Sequence, residues 1–273
     1  GGMTLVLLSG GIDVSVGSTM AFAGIIAAKV MEAGGPWYLA VLAGIALGGL
    51  CGLINAVIIT RGRVTAFITT LGTMTIYRGL AQICSNGKTI LISDEIFKAM
   101  GRKYLFRVIP IPAVLMILTF VIFQVVLKYT KFGRHIYALG GNRNCAKIVG
   151  IKTERVEVIV YAMSGLLAAI AGTMMACKLA SFQATIGENW VNPTIAASVL
   201  GGTSMTGGIG GVIGTVIGGL LQQTVSTSIT LLRVSSYWET VVTGGVVLIA
   251  VTVDAIKENP VMRDKVTRVF KKK

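Results

Sequence analysis

SGGIDVSVGS, residues 9–18, places a carboxylate, three glycines and three serines inside an otherwise hydrocarbon-like sequence. Eight mostly apolar residues precede it, and the apolar run at 14–31 approaches the length of about 20 helical residues that crosses a hydrocarbon core of about 30 Å. A carboxylate at the centre of a bilayer costs about 2.5 to 3.5 kcal/mol on insertion scales, so Asp13 is expected to face protein or water. The stretch therefore predicts a break in a membrane-embedded helical segment.

The rest of the chain has the composition of a membrane protein. Of its 273 residues, 53% are hydrophobic and 13% are charged, whereas soluble domains have about 25% charged residues. We therefore predict an all-α polytopic membrane protein, a single transmembrane domain over residues 1–273, with about eight helices or helix pieces, broken or re-entrant segments and an inverted repeat. The apolar runs predict spans at 14–31, 37–60, 64–84, 108–127, 156–178, 193–232 (broken) and 236–254.

Basic residues set the expected orientation. The net charge is +14, but the basic side chains lie between apolar runs and at the tail, so nucleic-acid binding is not predicted. Residues 128–155 carry seven basic residues and one acidic residue and are predicted to form a cytoplasmic loop, while residues 255–273 form a basic cytoplasmic tail. The 85–107 loop must then be external, although it also contains five basic residues.

A second break resembles the first in composition. LGGTSMTGGIGG, residues 200–211, is rich in glycine and hydroxyl groups and adjoins apolar runs. Irregular backbone at membrane depth is tolerated where it is buried in protein or lines a water-filled cavity. Broken helices in two related halves meet at the substrate path of many transporters. We therefore predict a translocation pathway lined or braced by Asp13, Ser15, Ser18, Gly201, Gly202, Thr203 and Ser204.

The role of Asp13 within this set has three readings, of which the simplest is that it lies too near the membrane surface to matter. Asp13 or Ser15 could cap the following helix by accepting hydrogen bonds from its first amides. Alternatively, Asp13 could contact the transported solute. Glycine ladders at Gly44, Gly48 and Gly52 and at Gly210, Gly214 and Gly218 predict close helix packing in each half.

The loop 128–155 contains a predicted short helix. Asn142 is a suitable N-cap, residues 143–149 can form two turns, and Gly150 can take the left-handed position after them. Cys145, Ala146 and Val149 would form its apolar side, with Arg143 and Lys147 on the neighbouring face. Docking of a partner protein and a simple solvated helix are both compatible with this pattern.

Enzymatic chemistry is not predicted. His135 is the only histidine, which excludes a two-histidine metal site, and no GxxxxGK[ST] phosphate loop is present. If the protein depends on ATP, the ATPase must be another polypeptide. Arg78 and Glu239 lie near predicted external ends, where charged side chains are expected to reach the membrane surface.

Three motifs carry a family resemblance: GMTLVLLSGGIDVSVGS (2–18), YALGGNRNCAKIVGIKTERVEVIVYAMSGLLAAIAG (137–172) and NPTIAASVLGGTSMTGGIGGVIGTVIGG (192–219). Together they resemble the permease subunit of bacterial ABC sugar importers of the ribose type, from Gly2 to about Lys257. The resemblance implies a second permease copy, a cytoplasmic ATP-binding subunit that uses ATP and Mg, and a periplasmic or extracellular sugar-binding protein. It implies a multi-pass protein of the bacterial inner membrane with no cofactor of its own.

The coupling segment of that family maps onto Gly141, Asn142, Ala146, Gly150 and Ile151, to which the loop helix adds Arg143 and Lys147. The resemblance also implies further N-terminal helices, and because the first eight residues are already apolar we expect one or more to precede Gly1.

The predicted function is translocation of a monosaccharide, a ribose-like pentose or a related sugar, by alternating access. The alternatives are a permease of the same architecture for a nucleoside, a polyol or a sugar-derived signal, and an ion-coupled secondary transporter. Ion coupling normally needs several buried carboxylates, and the sequence places only Asp13 convincingly inside a span.

Overall fold

The apolar runs fold into helices in the structure, a computed structural model that describes residues 1–233, 235 and 237–258. The predicted all-α fold is confirmed, and residues 259–273 of the predicted basic tail lie outside the described part. The helices are α1 Gly2–Leu8, α2 Val16–Glu32, α3 Trp37–Thr60, α4 Ala66–Ser85, α5 Glu95–Arg102, α6 Ile111–Tyr129, α7 Lys131–Gly141, α8 Arg143–Ile148, α9 Thr153–Leu179, α10 Val191–Leu200, α11 Val212–Leu231 and α12 Tyr237–Glu258.

Four of the described helices, α3, α6, α9 and α11, are long and apolar enough to cross a membrane. The predicted span 193–232 is divided into α10 and α11 by residues 201–211. Helices α2 and α4 occupy the predicted spans 14–31 and 64–84. Neither helix is among the four long apolar ones, because α2 has only 17 residues and α4 is made less apolar by several threonines and Arg78. Because α2 is buried along most of its length by the surrounding helices, it is a central element of the bundle.

The first glycine ladder brings the α3 and α9 backbones into contact. A Cβ atom on Gly48 would lie 2.6 Å from the carbonyl oxygen of Gly165, and a Cβ on Gly52 would lie 2.9 Å from the Cα of Ala162. Neither position can hold a larger side chain without separating the helices. The predicted close packing at this ladder is therefore confirmed.

Two ends of the bundle are defined by short elements. At one end, here called the strand end, β1 (Ile90–Leu91) pairs antiparallel with β4 (Ser181–Phe182) beside α5, and β2 (Tyr104–Leu105) pairs with β3 (Ile109–Pro110) just before α6. These two-residue strands are the only departure from the predicted all-helical chain among the described residues. At the other end, the α7–α8 end, α7 and α8 lie between the last turn of α6 and the first turn of α9.

Helices α6 and α9 each run between these two ends, so the basic loop 128–155 and the 85–107 loop lie on opposite sides of the bundle. This separation agrees with the predicted assignment of the two loops to opposite sides of the membrane. The strand end is tied together by Ile92 N–H, which donates to the carbonyl oxygen of Ala180 at 2.9 Å, and by the Arg102 Nε atom, which donates to Lys178 O at 2.9 Å.

Candidate translocation and coupling site

The carboxylate of Asp13 is completely buried, with 1% of the residue exposed. One carboxylate oxygen accepts hydrogen bonds from the Ser15 amide at 3.0 Å and from the Ser15 hydroxyl at 2.6 Å. The other accepts from the Ser164 hydroxyl on α9 at 2.8 Å. Both oxygens are thus engaged by protein donors, as a buried carboxylate requires.

The hydrogen bonds continue from Asp13 to two further helices. Asn55 on α3 donates from its side-chain nitrogen to the Ser15 hydroxyl oxygen at 2.8 Å. Tyr77 on α4 donates to the Cys51 carbonyl oxygen at 2.9 Å, and its hydroxyl lies 3.3 Å from the Asn55 side-chain oxygen. We call Asp13, Ser15, Asn55, Tyr77 and Ser164 the Asp13 network. It joins the segment before α2 to α3, α4 and α9.

The Asp13 network differs from a simple helix cap. Asp13 accepts from the amide of Ser15, the residue just before α2, and Ser15 at the N-cap position makes no side-chain capping bond. The Ser18 hydroxyl donates to Ser15 O at 2.9 Å, within the first turn of α2. Asp13, Ser15 and Ser18 therefore hold the local backbone and the surrounding helices in place.

The second predicted set lies in the connection between α10 and α11. Gly202, Gly207 and Gly208 have positive φ angles of 81°, 99° and 73°, which favour glycine. The Thr203 amide donates to Ser198 O at 3.0 Å and the Ser204 amide donates to Ile209 O at 2.9 Å, so the loop folds back on itself. The Thr203 hydroxyl oxygen is buried and has no hydrogen-bond partner among the described residues.

Gly201 lies at the contact between α10 and α11, where a Cβ on it would collide with the Gly214 backbone. Gly214 and Gly218 of the second ladder pack in the same way, with Gly218 facing Ala197 O. Gly210 belongs to the loop, not to the helix, and has a φ angle of 131°. The second ladder therefore packs as predicted at two of its three glycines.

The two breaks meet directly. The Gly208 amide donates to the Leu8 carbonyl oxygen at 3.0 Å. A Cβ on Gly207 would lie 2.9 Å from the Cα atoms of both Gly10 and Gly140, and a Cβ on Gly140 would collide with Leu8 O. We call Gly10, Gly140, Gly207 and Gly208 the glycine contact. It joins both breaks to the last turn of α7, immediately before Gly141 of the predicted coupling segment.

Helix α7 also holds the second break through a side chain. The Tyr137 hydroxyl donates to Gly210 O at 2.9 Å, and burial raises the pKa of Tyr137 above its usual value, so the hydroxyl is a neutral donor at physiological pH. Neither Tyr137 nor Gly140 was singled out from the sequence. The paired glycines at 140–141 are the signal that could have identified the second of them.

The loop helix predicted from residues 142–150 forms as α8. The Asn142 side-chain oxygen accepts from the Cys145 amide at 2.9 Å, Gly150 has a φ angle of 84°, and the Ile151 amide donates to Ala146 O at 3.0 Å. The predicted N-cap and left-handed glycine are thus both present.

The predicted apolar side of α8 is wrong in part. Ala146 is buried, but Cys145 is exposed and Val149 is 73% exposed, as is Ile148 at 83%. A helix of six residues rests on its neighbours through one small side chain and presents the rest to solvent. Lys147 is also exposed.

Arg143 is not a free charge on the α8 surface. Its two guanidinium nitrogens donate to the two carboxylate oxygens of Glu157 on α9, at 2.6 and 2.8 Å. This bidentate geometry fixes the start of α8 to the first turns of α9. Arg143 therefore positions the helix, while Lys147, Ile148 and Val149 belong to its accessible surface, together with Asn144 and Cys145.

A cavity of about 910 Å³ opens at the α7–α8 end. Its walls combine the first break at Ser9–Gly11, Thr206 of the second break, residues 139–144, and the connection between α3 and α4 at residues 63–66. The cavity thus borders one part of each break and the start of the predicted coupling segment. The residues predicted to line or brace the path are not among its lining residues, namely Asp13, Ser15, Ser18, Gly201, Gly202, Thr203 and Ser204.

Arg78 departs from its predicted role at the membrane surface. Its guanidinium donates to the carbonyl oxygens of Ala184 and Ile186 in the connection between β4 and α10. The contact could not be predicted from the sequence, because the partners are more than 100 residues apart along the chain. Arg78 therefore fastens the strand end of α4 to a loop of the other half.

The family to which the chain belongs follows from comparison with known proteins. The sequence profile of a family described as branched-chain amino acid transport system / permease component matches residues 2–251. The chain belongs to this family. The recognition of a transport permease from the three motifs is thereby confirmed, and with the four spans it makes the chain a multi-pass membrane protein.

Individual members of the permease family match over most of the chain. The ribose import permease protein RbsC of Bacillus subtilis (strain 168) is 45% identical over 258 residues, which cover 94% of this chain and 80% of that protein. RbsC of Escherichia coli (strain K12) is 40% identical over 261 residues, which cover 94% of this chain and 81% of that protein. The L-arabinose ABC transporter permease protein AraH of Azospirillum brasilense is 35% identical over 257 residues, which cover 94% of this chain and 76% of that protein. No solved structure matches the chain.

Proposed function

We propose that the chain is the membrane-spanning permease subunit of an ATP-driven importer that carries a monosaccharide, ribose or a related pentose. The observation that carries this proposal is the similarity to ribose and arabinose permeases along 94% of the chain. The geometry adds that both breaks and the coupling segment border one cavity. This arrangement suits a path whose access changes when the α7–α8 end moves.

Within this proposal, the predicted pathway residues have separate tasks. Asp13, Ser15 and Ser18 brace the first break, because the hydrogen bonds of each are directed to protein groups. Gly201, Gly202, Thr203 and Ser204 shape the second break beside α11. A carboxylate whose two oxygens are already bonded is poorly placed to bind a sugar hydroxyl, which favours the bracing role of Asp13.

In this proposal, the conformational change of the ATP-binding subunit is transmitted to the permease through α8 and the glycine contact. A cytoplasmic ATP-binding subunit, which uses ATP and Mg, docks on the surface formed by Lys147, Ile148 and Val149. Ile148 and Val149 are adjacent and strongly exposed, and an apolar patch rimmed by polar residues is typical of a protein–protein contact. Movement of α8 reaches α7 through Asn142 and Gly141, and α7 contacts both breaks at Gly140.

The remaining parts of the importer follow from the same proposal. A second permease copy completes the membrane path, and a periplasmic or extracellular sugar-binding protein delivers the solute at the strand end. The loop 128–155, residues 255–273 and the C-terminus are cytoplasmic, and the strand end is external, in the inner membrane of a bacterium. This chain binds no cofactor, and hydrolysis takes place on the partner subunit.

Replacement of Ile148 tests the docking surface. Ile148→Asp places a charge at the centre of the proposed contact, so co-purification with the ATP-binding subunit of the importer should be lost while the permease remains inserted. Ala146 is a less suitable target, because it is buried and its replacement would disturb α8 itself.

Phe106→Asp is the matched control for Ile148→Asp. Phe106 is 84% exposed at the strand end, on the opposite side of the bundle. Its replacement should leave co-purification unchanged. Equal binding of the ATP-binding subunit by Ile148→Asp and the unaltered permease would exclude α8 as the docking site.

Uptake measurements test the identity of the transported solute and the energy source that drives its transport. Vesicles that contain the permease, the ATP-binding subunit and the sugar-binding protein should accumulate radiolabelled ribose or arabinose when ATP is supplied on the cytoplasmic side. Accumulation driven by a proton or sodium gradient without ATP would instead support the secondary-transporter alternative.

A further inference from the structure

The outward face of α11 changes character along its length. Its first part exposes apolar side chains, whereas its second part, from Gln223 to Thr230, exposes amide and hydroxyl groups before the helix ends at the exposed Leu231. The apolar residues are Ile213, Ile217, Leu220 and Leu221, and the polar ones are Gln223, Thr224, Thr227, Ser228 and Thr230. Helix α11 is also the least apolar of the four spans.

Gln223 indicates what surrounds this face, because its polar side chain lies deep in the span. It lies 11 residues after Val212, about 16 Å along a helix of about 30 Å, and therefore near the middle of the span. A carboxamide that faces hydrocarbon without partners costs about 4 to 8 kcal/mol on a water-to-cyclohexane scale. Its described hydrogen bond is a single long one, from its side-chain nitrogen to the Thr227 hydroxyl oxygen at 3.4 Å.

The preceding residue shows how a glutamine is normally accommodated at this depth. Gln222 is 8% exposed and donates from its side-chain nitrogen to the Thr243 hydroxyl oxygen of α12 at 2.7 Å. The two adjacent glutamines thus point in different directions. One joins two helices, and the other is directed away from the described bundle.

Gln223, Thr227 and Thr230 share one side of the helix, at spacings of four and three residues. Helix α11 carries no charged residue. The hydroxyl of Thr230 donates to its own helix at Ser226 O, so its oxygen lone pairs remain directed outward. A row of uncharged amide and hydroxyl groups offers donors and acceptors to a neutral polyhydroxyl compound, and it does not concentrate ions.

We infer that Gln223, Thr227 and Thr230 line the water-filled part of the sugar path and form a binding position for sugar hydroxyl groups. This inference rests on the proposed function for the identity of the solute. Water beside this face would supply the hydrogen-bond partners that lipid cannot give the Gln223 carboxamide. The path therefore runs beside α11, away from the buried Asp13 network.

Cysteine accessibility tests the wet face without requiring transport. In a permease from which the four native cysteines have been replaced, Gln223→Cys and Thr227→Cys should react with a membrane-impermeant maleimide in sealed vesicles. Leu221→Cys is the control, at nearly the same depth but at the opposite edge of the outward face, since residues two apart point to different sides of a helix. Reaction at Gln223→Cys should be about tenfold faster or more, because the reactive thiolate forms in water and not in lipid.

Two results would overturn the inference. Equally slow reaction at Gln223→Cys and Leu221→Cys would place the face in lipid. Failure of Gln223→Cys to react, together with disulfide formation between two permease copies, would show that the second copy covers it. Because labelling requires neither ATP nor sugar, these results are independent of whether the chain imports a pentose.

Uptake by the assembled importer tests the binding position. Gln223→Leu removes donors and acceptors and should lower ribose uptake about tenfold, the effect expected for one or two lost hydrogen bonds. Leu221→Ala should have little effect. Unchanged uptake by Gln223→Leu would exclude a contact between this side chain and the sugar, even if the position is wet.

Discussion

The first break, residues 9–15, and the second break, residues 201–211, have similar compositions but are held by different forces. Side chains fix the first, since Asp13 bonds to Ser15 and Ser164 and the Asp13 network reaches α3 and α4. Backbone contacts at glycine dominate the second, where the buried Thr203 hydroxyl has no partner among the described residues. Glycine and hydroxyl content alone therefore does not show how a broken helix is stabilised.

This difference indicates a division of labour at the α7–α8 end. A polar network with every carboxylate oxygen bonded is rigid. A loop with several positive φ angles and an unpaired buried hydroxyl can adopt other arrangements at lower cost. In the proposed importer, the first break is then the fixed support and the second break is the element that rearranges.

The largest expected effect comes from filling the glycine contact. Gly140→Ala should lower the free energy of unfolding by about 3 kcal/mol, because the added methyl group collides with Leu8 O, a backbone atom that cannot rotate away. Thermal unfolding in detergent micelles measures the change.

Gly141→Ala provides a control one residue away. A Cβ there meets nothing within 4 Å, and Gly141 is the last residue of α7. This variant should be as stable as the unaltered protein. If the two alanine variants are equally stable, the close approach of the two breaks at Gly140 does not contribute to stability.

A smaller effect is expected when the first break loses its carboxylate. Asp13→Leu leaves the Ser15 amide without its acceptor and should cost about 2 kcal/mol of unfolding free energy, the usual penalty for an unsatisfied buried donor. Asp13→Asn keeps an acceptor for Ser15 and a polar group for Ser164. It should retain most of the stability and most of the uptake.

Uptake measurements distinguish two roles of Asp13, bracing of the first break and direct contact with the solute. Complete loss of uptake by Asp13→Asn in a stable, assembled importer would assign Asp13 to the path and would reverse the comparison between the breaks. Retained uptake, together with reduced stability of Asp13→Leu, is the result expected of a brace.

Much of the fold could be predicted because membrane insertion is controlled by local sequence. Apolar length located the α3, α6 and α9 spans, and the composition of residues 200–211 located the second break. Local hydrogen bonds were also accessible, as at Asn142, whose side chain caps α8 three residues later. Each of these features depends on a continuous stretch of sequence, from three residues for the cap to about 20 for a span.

The contacts of the site could not be predicted in the same way. The partner of Asp13 on α9 lies 151 residues away, and Arg78 reaches carbonyl groups more than 100 residues distant. Serine and arginine at those positions carry no local pattern that assigns them a partner. The exposure of Val149 was also missed, because helical periodicity is a weak guide in a helix of six residues.

The smallest expected effect concerns the Tyr137 side chain, which holds the second break to α7. Tyr137→Phe removes the hydrogen bond to Gly210 O and should lower the free energy of unfolding by about 1 kcal/mol. The ring remains, so packing changes little, and because burial raises the pKa of Tyr137, the difference between the two proteins should not vary between pH 6 and about pH 9. Thermal unfolding across that range provides the measurement. A loss larger than that of Asp13→Leu would mean that the second break also depends on a side chain, because the glycine backbone contacts alone would then be insufficient to hold it.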